Sequence, residues 1–373
     1  MTSHYPLVSY QPLRILFQAT YIVLMVLRLP YYTIISLIPR FRPHKKWSAK
    51  QTFMTRVSYW FLDCVSRVGI TETLTLNPGK EVRRFQVIPV CVLGVYKGPL
   101  ASQITKPATV GGTWFPDAPG DDVAAKTVVL YFHGGAFVQG DGRTAQYGSI
   151  ARYFLEKGSG DAVFSLQYRL SGHGGINPFP AALQDTLSSY LFLLNDLHIS
   201  AGQIILAGDS AGAVLAVSLL RYIYEFGAAI NVPTPKCAVL LSPWVEPFYY
   251  DAADNPHRGT DFIPGAYGGV VPQEVKLTAK PAWGAHAYTG NRPKTDPYIT
   301  LLGNAFPTPV PLFVNAGSAE LFCQRIVRWA EEMRGVEGNR VEVHCEEGAV
   351  HDTFFVGGLM GFEGRLRGRL RGL

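Results

Sequence analysis

Two short runs carry residues that could do covalent chemistry. Gly208-Asp209-Ser210-Ala211-Gly212 sets a serine between two glycines. A Gly-x-Ser-x-Gly pentapeptide between a strand and a helix forces its serine into a sharp, strained turn, and the glycines remove the clash that side chains would cause there. Ile204 to Ala207 before it is apolar and β-branched, and Ala211 to Phe226 after it reads as a helix, so Ser210 stands where a nucleophile is needed. Upstream, His133-Gly134-Gly135-Ala136-Phe137 ends another apolar run. The backbone N–H groups of Gly134 and Gly135, together with that of Ala211, are the expected donors to an oxyanion. His133 reads as an organiser of this loop and not as a base. A phosphate cradle is disfavoured, because neither a Walker lysine nor Gly-x-Gly-x-x-Gly accompanies the glycines.

A nucleophilic serine needs a base, and the base needs a carboxylate to orient it. In serine sites on a strand–turn–helix the acid and the histidine follow the nucleophile in that order. Leu312 to Asn315 reads as a late strand, and Ala316-Gly317-Ser318-Ala319-Glu320 after it makes Glu320 the candidate acid. Val341 to His344 reads as the last strand, and His351 follows it as the candidate base. Asp296 competes as a carboxylate but precedes the late strand. His344 lies within a strand, and His173, His257 and His286 lie in loops or in an insert. The expected chemistry is two-step acyl transfer without metal or organic cofactor.

The elements that must position these residues begin with a helix from Lys50 to Val68 and antiparallel strands within Arg83 to Tyr96 and Val110 to Phe115. Strands at Thr127–Phe132, Ala162–Leu166, Ile204–Ala207 and Cys237–Leu241 then alternate with helices at Ala145–Lys157, Ala181–Leu197 and Ala211–Phe226, and a helix from Gln324 to Arg334 separates the last two strands. That alternation predicts an α/β protein with a mostly parallel central sheet flanked by helices. Between Trp244 and Thr300 it gives way to a Pro-, Gly- and aromatic-rich insert, read as part of a lid around Trp283 to Tyr288.

These motifs together resemble the hormone-sensitive-lipase-like branch of the α/β-hydrolases. They are His133-Gly134-Gly135-Ala136, Tyr168-Arg169-Leu170, Phe179-Pro180-Ala181-Ala182-Leu183, the Ser210 pentapeptide and His351 with Phe354. The N-terminal part, with Arg42-Pro43 and Trp47-Ser48, is similar to fungal members with an apolar leader, including membrane-bound steryl acetyl hydrolases. The resemblance implies the α/β-hydrolase fold, a cap built from the N-terminal helices plus the insert at 245–300, and a hydrophobic ester as substrate. Some fungal relatives act in natural-product biosynthesis, so a specialised-metabolite ester fits. Ser171-Gly172-His173 departs from the family, as does glutamate at position 320. The tail after Phe355 is Gly- and Arg-rich and lacks the family's usual closing amphipathic helix. An acyltransferase or lactonising enzyme would use the same triad, and a non-catalytic receptor on this scaffold would have no need of His351.

Residues 1–50 form an apolar leader ahead of the hydrolase domain at 51–373. Ile15 to Leu27 and Leu29 to Pro39 are uncharged, with only Arg28 between them. A helix with no polar face favours lipid or a deep groove, so residues 12–39 are expected to associate with a membrane, with Pro30 kinking or ending the helix. No small-residue cleavage site follows. Were the segment to span, Arg40, Arg42, Lys45, Lys46 and Lys50 would outweigh Arg14 and keep the catalytic domain cytosolic, for instance at the endoplasmic reticulum. The net charge of +6 comes with no stacking aromatics in the basic clusters, which argues against nucleic acid. Five widely spaced cysteines with no Cys-x-x-Cys pair suggest neither a metal site nor a disulfide framework.

Overall fold

The computed structural model describes residues 5–157, 160–248, 255, 257, 259–264, 277–279 and 282–362. Eight strands form one sheet: β1 (Phe85–Ile88), β2 (Val110–Phe115), β3 (Val128–Phe132), β4 (Ala162–Gln167), β5 (Ile204–Asp209), β6 (Cys237–Leu241), β7 (Leu312–Gly317) and β8 (Val341–Glu346). Their order across the sheet is β1-β2-β4-β3-β5-β6-β7-β8. β1, β2 and β4 pair antiparallel, and every pair from β4 through β3 to β8 is parallel.

Successive strand side chains point to opposite faces, and the buried residues sort that way. Val128, Leu130 and Phe132 join the cluster that α4 (Ala181–Asn195) and α5 (Ala211–Ile230) cover, while Val129 and Tyr131 join one under α3 (Thr144–Lys157) and α8 (Thr353–Met360). A sheet buried on both faces explains why β3, β5 and β6 read as unbroken apolar runs. At the end of β4, Arg169 binds the fully buried Asp185 of α4 through Nε and Nη2, 2.8 Å at the closest, which fixes that strand end to its helix.

The N-terminal leader decides one half of an expectation, since the helix does not end at Pro30. α1 (Leu13–Leu37) is a single helix that passes through Pro30 without ending. It is held on both sides of the proline by α2 (Ala49–Val68): Tyr21 donates to Asp63, the Arg28 guanidinium lies 4.2 Å from the Trp60 ring centroid, and Trp60 Nε1 donates to Tyr32. Ser48 and Gln51 form a reciprocal capping box at the start of α2, which gives that helix a firm beginning. α2 rests in turn on the C-terminal end of the domain, where Gln51 Nε2 donates to Gly361 O and Trp47 packs edge-on against Phe362.

Thr353 to Met360 is helical, with Phe354 against Tyr153 and Phe355 stacked on Tyr147, so a short apolar helix follows the base. It is not the amphipathic helix that the tail lacks, and residues 363–373, with the arginines from Arg365 onward, lie outside the described residues. In the insert, α6 (Trp283–Thr289), which precedes α7 (Cys323–Arg334), is largely buried: Tyr288 stacks on Phe137 at 3.6 Å and Trp283 on His173 at 4.8 Å. These two rings support the His133 loop and the loop after β4. Residues 265–276 of the insert lie outside the described residues.

Candidate active site

Ser210 follows the last residue of β5 with φ 48° and ψ −114°, a strained conformation for a residue with a side chain. Local packing imposes it. Ser210 N donates to Leu241 O, and Ser210 O accepts from Trp244 N. A Cβ on Gly208 would lie 2.5 Å from the Gly212 carbonyl carbon, and one on Gly212 would lie 1.9 Å from Phe132 O. Both glycines are therefore required by close backbone approach, as the pentapeptide reading predicts.

The loop after β3 departs from expectation at Gly134. Its N–H donates to Asp209 Oδ1 at 2.8 Å, and Tyr131 OH donates to the same oxygen, so Gly134 is committed to a carboxylate and is not free for an oxyanion. The N–H groups of Gly135, Ala136 and Ala211 have no acceptor among the described residues. Left-handed φ values of 99°, 52° and 65° at Gly135, Ala136 and Phe137 turn this loop back sharply. His133 organises it: Nδ1 bonds Gly134 O at 2.8 Å, the ring stacks on Tyr168 at 4.1 Å, and Tyr168 OH donates to His133 O. Burial lowers the His133 pKa to about 4, so this imidazole stays neutral.

Glu320 and His351 come from the turns after β7 and β8 (Gly317 ends β7, Glu346 ends β8), and both are buried. A Cβ on Gly317 would meet Ala349 O at 2.4 Å, so this glycine lets the two turns meet. Glu320 Oε2 accepts from Gly317 N and from Ser242 Oγ, at 2.9 and 2.6 Å. Glu320 Oε1 faces His351 Nδ1 at 3.7 Å, an ion-pair distance longer than a hydrogen bond. Neither atom has another partner among the described residues, so each is poised only for the other. Burial alone would lower the His351 pKa, but the carboxylates of Glu320, Asp261 and Asp209 outweigh it and the net direction is upward.

Three further residues build this site without having signalled themselves. Asp209, at the variable position of the pentapeptide, orders the oxyanion loop. Burial raises its pKa, and the neighbouring Asp352 is driven well above the carboxylate range by burial and by the Asp209 charge. Ser242, just past β6, donates to Glu320 and accepts the Asp352 N–H at 3.0 Å, which ties the acid to the residue after the base. Its position just beyond the carboxyl end of a parallel strand is the one hint that could have found it. Asp261 accepts from the backbones of Leu321 and His351, and no sequence pattern marks it. Asp296, the competing carboxylate, instead pairs with Arg292 at 2.9 Å.

A serine on a strained elbow, unpaired N–H groups beside it and a buried histidine–glutamate pair can together activate a hydroxyl and stabilise a tetrahedral oxyanion. The chain is similar to several known proteins. Residues 129–355 match the family described as alpha/beta hydrolase fold. An acetyl-hydrolase of Streptomyces hygroscopicus is 38% identical over 118 residues, 32% of this chain and 36% of that protein. Esterase LipI of Mycobacterium tuberculosis is 35% identical over 117 residues, 31% of this chain and 34% of its own length. The chain thus spans about a third of the length of these curated relatives. A hormone-sensitive lipase from a metagenome library superposes with a TM-score of 0.53 at 26% identity, covering 67% of this chain and 76% of its own. With more than half its length matched, the chain belongs to the alpha/beta hydrolase fold family.

Proposed function

We propose that this protein is a serine esterase that cleaves carboxylic esters of hydrophobic small molecules through an acyl-enzyme on Ser210. The observation that carries the reading is the convergence at one sheet end of a strained Ser210, the open N–H groups of Gly135 and Ala211, and a buried His351 whose Nδ1 faces only Glu320. His351 takes the Ser210 proton as Oγ attacks the ester carbonyl, and the backbone N–H groups hold the oxyanion. Collapse expels the alcohol, which His351 protonates, and water repeats the sequence to release the acid. Glu320 holds the imidazole with Nδ1 protonated and Nε2 free to accept. A non-catalytic receptor would have no use for the buried His351–Glu320 pair. Relatives named esterase and acetyl-hydrolase support the ester reading.

The leader adds a site of action. α1 is 25 residues long and apolar, and it exposes Ile15, Leu16, Ile22, Val23, Val26, Leu27 and Ile34 on the side away from α2. Its opposite side is tied to α2 from Tyr21 to Ser36. Leaving those partners to cross a bilayer would strip Asp63 of the Tyr21 hydroxyl, so we read α1 as lying in the membrane interface, its apolar face toward the acyl chains. The leader and α2 also join the insert, through Val8 N to Leu277 O and Ala279 N to Arg67 O, which supports a shared cap over the site.

The test is turnover of short-chain p-nitrophenyl esters by wild type and Ser210→Ala. Loss of turnover in the variant, with the serine of the wild type labelled by a fluorophosphonate, is expected. Undiminished hydrolysis by Ser210→Ala would overturn the assignment.

A further inference from the structure

The turns after β7 and β8 must keep a fixed mutual distance if Glu320 is to orient His351, yet they belong to different strand ends. A stretch of the insert grips both. Asp261 is buried, its Oδ2 accepts from Leu321 N at 2.7 Å, and its Oδ1 accepts from His351 N at 3.2 Å and from Phe262 N at 2.8 Å. Leu321 directly follows the acid, and His351 is the base itself. On either side of Asp261 the grip continues. Thr260 Oγ1 donates to Ala319 O at 2.8 Å, immediately before Glu320, and Asn255 Nδ2 donates to Leu321 O at 3.1 Å.

We propose that Asp261, seconded by Thr260, is a positioning residue of the proposed triad: one buried carboxylate spans the acid turn and the base turn and fixes Glu320 against His351. The inference rests on the triad reading above. It also gives the insert a task beyond covering the site, since its first segment sets the geometry of the base.

The charge matters as well as the bonds. The ionisable groups acting on Asp261 are His351 and Glu320, and those acting on His351 are Glu320, Asp261 and Asp209, with Asp352 next in the chain. Burial outweighs the opposing pull of His351 and leaves the Asp261 carboxyl raised to about 6. At neutral pH Asp261 is therefore ionised and, with Glu320, favours the imidazolium that forms as His351 accepts the serine proton.

The test is Asp261→Asn in the full chain. Asparagine keeps an oxygen for the His351 and Phe262 N–H groups but sets an NH2 group against the Leu321 N–H, so the acid turn is released while the base turn is retained. The kcat for a short-chain ester is expected to fall by roughly 10- to 100-fold, with KM within about twofold because no substrate contact changes. The acid limb of the kcat/KM profile moves to lower pH, since a negative charge near the imidazolium is gone; a purely structural role would not move it. A folded Asp261→Asn with wild-type kcat and an unmoved acid limb would overturn the proposal. Should that variant not fold, Thr260→Val is read instead: a several-fold lower kcat, restored in Thr260→Ser, is expected, and wild-type kcat in Thr260→Val refutes the clamp. Ser210→Ala in the same assay separates the two levels. If it still turns over ester, the triad falls and the clamp with it; if it is inactive while Asp261→Asn is normal, only the clamp falls.

Discussion

Gly212→Ala isolates the fit between the nucleophile turn and the oxyanion loop. An added Cβ would lie 1.9 Å from Phe132 O, 2.5 Å from Phe132 C and 2.6 Å from His133 O, all backbone atoms with no rotamer to relieve them. A relaxed C···O approach needs roughly 3.3 Å, so the start of α5 must move more than an ångström from the end of β3. Ala211 N lies on one side of that gap and Gly135 N on the other. A displacement of this size costs about 10²-fold in rate, much like losing one oxyanion donor. In stability, overpacking costs about 1–3 kcal/mol, offset by up to about 1 kcal/mol of helix propensity, so the protein should remain folded. Urea unfolding and kcat on a p-nitrophenyl ester are the assays. Gly358→Ala is the control, because a Cβ there meets nothing within 4 Å inside α8; it should leave kcat unchanged and slightly raise the unfolding midpoint. A Gly212→Ala enzyme with kcat within threefold of wild type would show that the turn and the loop are not held by this contact, and the oxyanion argument would fail.

Glu320→Gln is expected to lower kcat by roughly 10³- to 10⁴-fold by releasing the His351 tautomer, and to move the acid limb of kcat/KM down in pH. His351 is raised in the folded protein and acts only when neutral, so wild-type activity should rise at a pH above the ordinary imidazole value of about 6.5. The stability linked to its protonation is present below that value and lost as pH rises through the folded pKa. Val23→Glu with Leu27→Glu alters two exposed positions of α1, 57% and 71% accessible, and should abolish pelleting with anionic vesicles without changing the unfolding temperature; retained pelleting would refute the interfacial reading of α1. Cys323 and Cys345 are free thiols with sulfurs 3.7 Å apart, one buried and one exposed. Glutathione disulfide, itself reduced to two thiols, should bridge them and remove one pair of alkylatable thiols, an outcome that Cys345→Ser prevents.

Much of the site could be read from the sequence because its parts are local. The Ser210 elbow needs glycines two residues away on either side, and the order of serine, acid and histidine follows the order of the strands. The strands themselves were legible because a sheet buried on both faces must be apolar at every position, as in Val128–Phe132 and Ile204–Ala207. Pro30 does not end α1, because a proline removes one helical hydrogen bond, whereas Tyr21, Arg28 and Tyr32 pack on α2 on both sides of it. Gly134 did mislead. Its backbone N–H is satisfied by a carboxylate 75 residues later, and no local pattern announces such a partner.

Asp261 is the extreme case, because beyond the adjacent Phe262 its partners lie 60 and 90 residues away and all of them are backbone N–H groups. A side chain that binds only backbone leaves no complementary residue type to look for. What a sequence can show is the chemistry that residue identities encode. The distances between turns are set by contacts like this one, so the accuracy of the His351–Glu320 relay is decided in an insert whose composition looks merely irregular. That division explains why the proposed reaction could be named early, whereas the groups that hold Glu320 against His351 emerged only from the geometry.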